Sequence, residues 1–188
     1  MLVRFPNGQL IALGLLVSAS TLGFSQTGFD TEINVGTRIP TVAELIQFFS
    51  EDDDKASITT RGGIKVSEDD RVPSGSRSIS MQIQFAFDSY ALTDLSIEQL
   101  KPVGDALASP ELMSVDFDIE GHTDASGSEA YNLSLSGKRA ASVRTYLMEH
   151  YGIIASRIAT KARGESQLLN PEQPFSGENR RVRIVAVY

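Results

Sequence analysis

The fold of this 188-residue chain is indicated most clearly by residues 115–136, which read VDFDIEGHTDASGSEAYNLSLS. At the start of this stretch apolar residues alternate with acidic ones, and a period of two predicts a half-buried strand. The loop 121–127 follows, and Ser128 is placed to cap a long helix that ends near Gly152. One face of this helix is predicted to carry Leu133, Ser136, Ala140, Val143 and Leu147.

Similar patterns extend to both sides of this stretch. Residues 79–87 alternate between apolar and polar side chains and are predicted to form a strand. A helix follows, with a capping box at Ser96–Gln99 and with Pro102 expected to kink it or weaken its early turns. Two more strands are predicted at 158–163 and 182–186. The order strand–helix–strand–helix–strand–strand predicts an α/β fold: a βαβαββ two-layer sandwich with helices packed on a mixed sheet.

The N-terminal residues have the pattern of a secretory signal peptide, which we assign to residues 1–25. Arg4 is the only charge before Asp30, and a short apolar run followed by small residues comes after it. Such a sequence is typical of a cleaved signal, because the apolar run is shorter than the roughly 20 residues that span a bilayer. Cleavage is expected after Ser25, with Ala19 as the alternative.

Residues 26–78 are predicted to form a small N-terminal region that precedes the domain at 79–188. They begin with a loose stretch rich in Thr and Gly. The sequence Thr41-Val42-Ala43-Glu44 fits a capping box and predicts a helix at about 42–50. Beyond it we expect a short hairpin at 58–66 and a linker over 67–78.

The composition excludes several classes of function. Apolar residues make up 41% and charged residues 22% of the chain, as in a soluble globular protein. The net charge of −7 disfavours binding to nucleic acid, which needs a basic surface. The absence of cysteine excludes disulfides, thiolate metal sites and a cysteine nucleophile.

His122 and Asp124 resemble a fragment of a metal site, but no third ligand falls at convincing spacing, so no metal or cofactor is expected.

Five stretches match a known family in order and spacing. They are FAFDS at 85–89, IEGHTD at 119–124, the helix positions from Tyr131 to Val143, GES at 164–166 and NRRV at 179–182. Together they strongly resemble the peptidoglycan-binding domain shared by OmpA C-termini, Pal lipoproteins and MotB stators. Gly137 and Lys138 depart from the family pattern, although neither is expected to touch a ligand.

The resemblance implies non-covalent binding of the diaminopimelate side chain of a peptidoglycan stem peptide. That side chain ends in an ammonium and a carboxylate on one carbon. Asp124 and Arg139 match the family's acid and base, and an arginine fork holds a carboxylate in a bidentate manner that lysine does not reproduce. Phe87 and Asp88 match positions whose backbone amides hold the ligand's carboxylate. Leu135 matches a position that packs against its aliphatic stem.

Without the resemblance, the same residues have simpler interpretations. Asp124 before a helix is often an Asx-turn residue. Arg139 is most often a solvated helix arginine paired with a nearby acid. Phe87 and Leu135 would ordinarily be assigned to the core. Asn132 and the pair Arg180-Arg181 are expected to be structural rather than to contact the ligand.

Three hypotheses about function follow. The first is a module that binds peptidoglycan and anchors a periplasmic or outer-membrane-associated protein to a Gram-negative type cell wall. The second is an enzyme acting on peptidoglycan, which is disfavoured because the chain shows no nucleophile elbow, zinc-hydrolase pattern or defensible carboxylate pair. The third is an envelope assembly protein whose residues 26–78 bind a protein partner. A homodimer is also considered, because multivalency would strengthen retention at the wall.

Overall fold

The computed structural model describes residues 24–27, 30–50, 76–85 and 89–188. Most of the expected signal peptide, the hairpin at 58–66, most of the linker, and Phe87 and Asp88 therefore lie outside the described residues. The described strands and helices are β1 (Phe24–Thr27), β2 (Asp30–Gly36), α1 (Val42–Ser50), β3 (Arg77–Met81), α2 (Asp94–Leu107), β4 (Asp116–His122), α3 (Glu129–Tyr151), β5 (Ile158–Gly164) and β6 (Val182–Val187).

The predicted βαβαββ order and mixed sheet are confirmed. The described strands form one six-stranded sheet in the order β1-β2-β3-β6-β4-β5. Strand β6 lies between β3 and β4 and is antiparallel to both, with Ile184 opposite Ile79 on one side and Ile119 on the other. Strand β5 is parallel to β4, as a crossover through α3 requires. The carboxyl end of β4 and the start of α3 are thereby brought to one edge of the sheet.

Helix α3 follows the prediction except at one position of its buried face. Ser128 caps it by accepting a hydrogen bond from the amide of Tyr131, and Gly152 ends it with a left-handed φ of 66°. Leu133, which was expected on the buried face, is 48% exposed, and Asn132 is buried in its place. The two positions are only 100° apart around the helix, so the contacts of the neighbouring loop decide which one faces inward.

Helix α2 begins earlier than predicted. Its cap is Thr93, whose hydroxyl accepts from the amide of Ser96 at 3.3 Å, so the capping box predicted at Ser96–Gln99 is wrong. Both Ser96 and Gln99 are instead fully buried. The helix continues past Pro102, because buried side chains on either side of the proline pack into the core and offset the missing amide donor.

Strand β3 is shorter than the predicted strand at 79–87. It ends at Met81, and the chain then leaves the sheet. Phe85 forms an isolated antiparallel bridge with Leu92 rather than continuing β3. This departure from the sheet opens the space beside α3 that is described below.

Residues 24–27 and 30–36, which precede the first helix, form the strands β1 and β2. Strand β1 overlaps the end of the signal peptide assigned to residues 1–25, and β2 lies where a loose stretch was expected. Strand β2 pairs in parallel with β3, placing Ile33 opposite Ile79, and β1 pairs antiparallel with β2. These strands belong to the same sheet as the domain that was placed at 79–188. Their Thr-rich sequence has a weak periodic pattern, so the partner strand supplies the register.

Helix α1 is held to the same core. Its predicted capping box is confirmed: the Glu44 amide donates to Thr41 Oγ1 at 3.2 Å, and the Thr41 amide donates to Glu44 Oε2 at 2.8 Å. Phe49 is fully buried, and its ring meets the ring of Phe117 on β4 edge to face at 5.3 Å. No helix within the described ranges is long and apolar enough to cross a membrane.

Candidate functional site

The first part of the site lies where β4 packs closely against α3. Gly121 faces the backbone of Ser136, and a Cβ atom at Gly121 would lie 2.1 Å from the Ser136 carbonyl oxygen. Only glycine allows the strand and the helix to come this close. The Ser136 hydroxyl also accepts a buried hydrogen bond from the amide of Gly164 at 2.9 Å, which joins α3 to the end of β5. The residues after Gly121 are therefore held against the first turns of α3.

Asn132 fixes the loop that follows β4. Its side chain is almost fully buried. The Nδ2 group donates to the backbone oxygens of Asp124 and Ser126 at 3.2 and 3.0 Å, and it contacts Glu165 Oε2 at 2.5 Å. This supports the structural role predicted for Asn132, because one amide connects the loop, α3 and the end of β5.

Asp124 lies in this loop with its carboxylate largely buried. Oδ1 accepts from the amide of Ser126 at 3.0 Å, as in an Asx-turn, and Oδ2 accepts from Arg180 Nη1 at 2.6 Å. Burial by itself raises the pKa of Asp124, but the hydrogen bonds from Arg180 and Ser126 outweigh it and hold the pKa below its usual value. Asp124 is consequently an anion at neutral pH.

Arg139 lies near the middle of α3 and reaches toward the segment that leaves β3. Its Nε donates to the backbone oxygen of Ser89 at 3.3 Å. Its guanidinium carbon sits 4.8 Å from the centre of the Phe85 ring, a cation–π contact. These contacts hold the planar guanidinium in place, which a site for bidentate recognition requires.

Arg139 and Arg180 line one cavity of about 290 Å³. At about 30 Å³ of liquid per water molecule, a cavity of about 290 Å³ holds about ten waters, so it has room for an amino-acid side chain with its terminal groups. Among the described residues the lining contains two guanidinium groups and no acid. Such a lining favours a carboxylate, although the net charge of the whole chain is −7. The described lining residues are Thr37, Gln82, Ile83, Gln84, Phe85, Arg139, Gly177 and Arg180.

The structure connects the two charged residues that the resemblance singled out through a third. Asp124 is bound to Arg180, and Arg180 shares the cavity with Arg139. Arg180 was expected to be structural rather than to contact the ligand. The signal for it was present in the NRRV stretch, but its partner lies 56 positions away along the chain. Leu135 is half-buried and lies outside the hydrophobic core that the described residues form.

His122 does not lie in the environment of a metal-binding histidine. Its imidazole is almost fully buried, 3.8 Å from the carboxylate of Glu120, and the described residues contain no group of three potential metal-binding side chains. Burial is the main cause that lowers the pKa of His122, with the positive charge of Arg181 acting in the same direction. A neutral histidine packed behind the loop is the state that this environment favours.

The fold and the site define a domain of the OmpA type, with a two-layer α/β sandwich and a cavity beside α3 that is lined by Arg139 and Arg180. Residues 84–182 match the OmpA family, and the chain belongs to that family. The family consists of structural anchors rather than enzymes, in agreement with the prediction from the sequence.

Individual relatives resemble only part of this chain. Outer membrane porin F of Pseudomonas aeruginosa is 32% identical over 106 residues, which cover 55% of this chain and 30% of the porin. Peptidoglycan-associated lipoprotein of Buchnera aphidicola is 43% identical over 70 residues, 36% of this chain and 39% of the lipoprotein. The chain therefore spans less than two thirds of the length of either relative.

A solved structure supports the fold. A MotB-like protein from Desulfovibrio vulgaris matches with a TM-score of 0.52 at 23% identity, covering 62% of this chain and 75% of that one. At this identity the likeness shows a shared fold alone.

Proposed function

We propose that this protein binds peptidoglycan non-covalently through the diaminopimelate of the stem peptide and so anchors an envelope protein to the cell wall. The observation that carries the proposal is the cavity lined by Arg139 and Arg180, beside the anionic Asp124. Membership of the OmpA family and the likeness to a peptidoglycan-associated lipoprotein support the same ligand.

Asp124 and Arg139 provide the two charges that the tip of diaminopimelate needs. The Arg139 fork takes the carboxylate, and Asp124 takes the ammonium. Arg180 neutralises Asp124 while no ligand is bound, and 53% of its side chain is exposed. The Asp124 side chain is only 10% exposed. The ligand's ammonium therefore has to replace the hydrogen bond from Arg180 to Asp124 Oδ2, because a buried carboxylate left without a partner is costly. Phe87 and Asp88 are proposed to hold the carboxylate through their amides, and Leu135 is proposed to contact the aliphatic stem.

The affinity for one stem peptide is expected to be modest. Two charge-assisted contacts contribute roughly 1.5–3 kcal/mol each, and the loss of ligand freedom opposes them, so the Kd is expected at about micromolar to millimolar. A sacculus presents many stems, and rebinding or multivalency then retains the protein. Because the protein is acidic, recognition is local rather than driven by long-range attraction to the anionic wall.

We place the protein in the periplasm, bound to the wall or associated with the outer membrane. The names of its relatives support this location: one is an outer membrane porin and another a peptidoglycan-associated lipoprotein. Export through the signal peptide assigned to residues 1–25 is part of the same proposal. Strand β1 begins at Phe24, so cleavage at the alternative site after Ala19 leaves this strand whole, whereas cleavage after Ser25 divides it.

Co-sedimentation with purified diaminopimelate-type sacculi tests the proposal. The wild type is expected in the pellet, and Asp124→Ala and Arg139→Ala are each expected to remain in the supernatant with unchanged circular dichroism. Matched charge controls are Asp105→Ala and Lys138→Ala, both exposed and absent from the cavity lining. If both folded site variants pellet like the wild type, the site assignment is wrong.

Two further readouts sharpen this test. Arg139→Lys is expected to weaken binding, since a point charge replaces a planar fork; equal affinity would argue against bidentate recognition. The supernatant is also assayed for soluble muropeptides. Their release from sacculi by the wild type would support an enzyme instead of an anchor.

A further inference from the structure

One wall of the cavity comes from outside the part of the chain that matches the OmpA family. The match covers residues 84–182, whereas Thr37 follows β2 and lines the cavity together with Arg139 and Arg180. Thr37 is exposed, and within the described residues its hydroxyl makes no hydrogen bond. The segment that joins β2 to α1 therefore presents an uncommitted polar group to the ligand space.

The backbone around Thr37 is held in a defined turn. Gly36 adopts a left-handed φ of 55°, and the pairing of β2 with β3 shifts register between Asn34 and Gly36. The Gly36 amide donates to Asn34 Oδ1 at 2.9 Å, and the Arg38 amide donates to the Val35 oxygen at 3.0 Å. A residue on such a turn has little backbone freedom to lose when a ligand binds.

A buried amide fixes this turn to the rest of the cavity. Gln99 on α2 is fully buried, and its Nε2 donates to the backbone oxygens of Thr37 and Gln82 at 3.3 and 3.4 Å. Its Oε1 atom is buried without a partner among the described residues. A buried, half-satisfied amide is less favourable than an apolar side chain of the same size. The position of Gln99 is accounted for by its contacts to two residues of the cavity wall.

We propose that Thr37 is a specificity-determining residue of the peptidoglycan site and that Gln99 is its positioning residue. The inference rests on the proposed function and adds to it. The Thr37 hydroxyl donates a hydrogen bond to the carboxylate-bearing group that occupies the cavity beside Arg139. Thr37 lies in the N-terminal segment, outside the family-matched residues 84–182. Its hydrogen bond therefore distinguishes among carboxylate ligands by a contact that the family-matched residues do not provide.

Isothermal titration with a purified disaccharide tripeptide that contains meso-diaminopimelate tests the inference. Thr37→Val removes the hydroxyl while keeping the shape, and the Kd is expected to rise about tenfold, the effect of one hydrogen bond to a charged group. Thr37→Trp fills the cavity and is expected to raise the Kd by at least about tenfold. The matched controls are Thr160→Val and Thr160→Trp on β5, where the threonine is also exposed but absent from the cavity lining.

Gln99 is tested by a double-mutant cycle. Gln99→Met keeps the packing and removes the amide, so it is expected to weaken binding in the wild-type background. In the Thr37→Val background it is expected to have little further effect, because both changes remove the same contact. A merely structural Gln99 would instead weaken binding equally in both backgrounds, and that additivity would overturn its positioning role.

The outcomes separate this inference from the function on which it rests. If the wild type does not bind the muropeptide, the proposed function fails. If the wild type binds, Asp124→Ala abolishes binding and both Thr37 variants bind like the wild type, then the role of Thr37 alone is overturned. Because Thr37 is exposed, its variants are expected to keep the melting temperature of the wild type.

Discussion

Truncating Phe49 tests whether the N-terminal segment is an integral part of this domain. Phe49 on α1 is fully buried and lies edge to face with Phe117 at 5.3 Å and with Phe48 at 5.2 Å. Replacing a buried Phe by Ala removes its transfer free energy and leaves a cavity, at about 3–5 kcal/mol. The free energy of the two lost aromatic contacts is included in that range and moves the expected value toward its upper end. We therefore expect Phe49→Ala to lower the free energy of unfolding by about 3–5 kcal/mol.

Urea unfolding followed by circular dichroism at 222 nm measures this change. The control is Ile39→Ala, since Ile39 belongs to the same segment but is 46% exposed, and surface truncations usually change stability by no more than about 0.5 kcal/mol. Most domains have only about 5–15 kcal/mol of stability, so the expected loss is a large part of the total. A loss below about 1 kcal/mol for Phe49→Ala would refute the packing of α1 against β4.

Three further predictions concern the surroundings of the site. Burial raises the pKa of Glu120, but His122, Arg163 and Arg183 more than offset this and lower the pKa to about 2. The stability that ionised Glu120 contributes is present above about pH 4.3 and is lost as the pH falls toward 2. Glu120→Gln is therefore expected to reduce the loss of stability between pH 5 and pH 3 in urea titrations. Asn132→Ala is expected to lower the free energy of unfolding by about 1–3 kcal/mol and to weaken sedimentation with sacculi, because the carbonyls it binds lose their donor. Gly121→Ala is expected to destabilise by about 1–3 kcal/mol or more in the same assay, because its Cβ would lie 2.1 Å from the Ser136 oxygen.

The exposed Ser134→Ala change on α3 serves as the control for the last two predictions, with an expected effect within about 0.5 kcal/mol. Equal pH dependence of the wild type and Glu120→Gln would argue against an ionised, charge-paired Glu120. Full wall binding by a folded Asn132→Ala protein would show that the loop keeps its shape without the amide. Wild-type stability of Gly121→Ala would contradict the close approach of β4 to α3.

Local patterns in the sequence predicted most of the elements correctly. The capping box at Thr41 and Glu44, the cap at Ser128 and the stop at Gly152 all depend on hydrogen bonds between residues a few positions apart. The alternation in β4 likewise follows from the period of a strand. Such signals are complete within a short stretch of chain, so they do not require knowledge of the fold.

The candidate site was only partly accessible in this way. Asp124 and Arg139 were selected by resemblance, and their binding roles remain predictions. The helical period did not decide whether Asn132 or Leu133 is buried, because both residues fall near the same edge of the apolar face. The Asn132 contacts with the Asp124 loop and with Glu165 decided it.

The sequence by itself determined the caps at Thr41 and Ser128, the alternation in β4 and the family to which the chain belongs. Only the tertiary structure showed that β2 joins the sheet beside β3, that Arg180 is the partner of Asp124, and that Gln99 is buried behind Thr37. The physical reason is that each of these contacts joins segments far apart along the chain. These contacts are stabilised by strand pairing and burial in the assembled fold, and no short stretch of sequence specifies them.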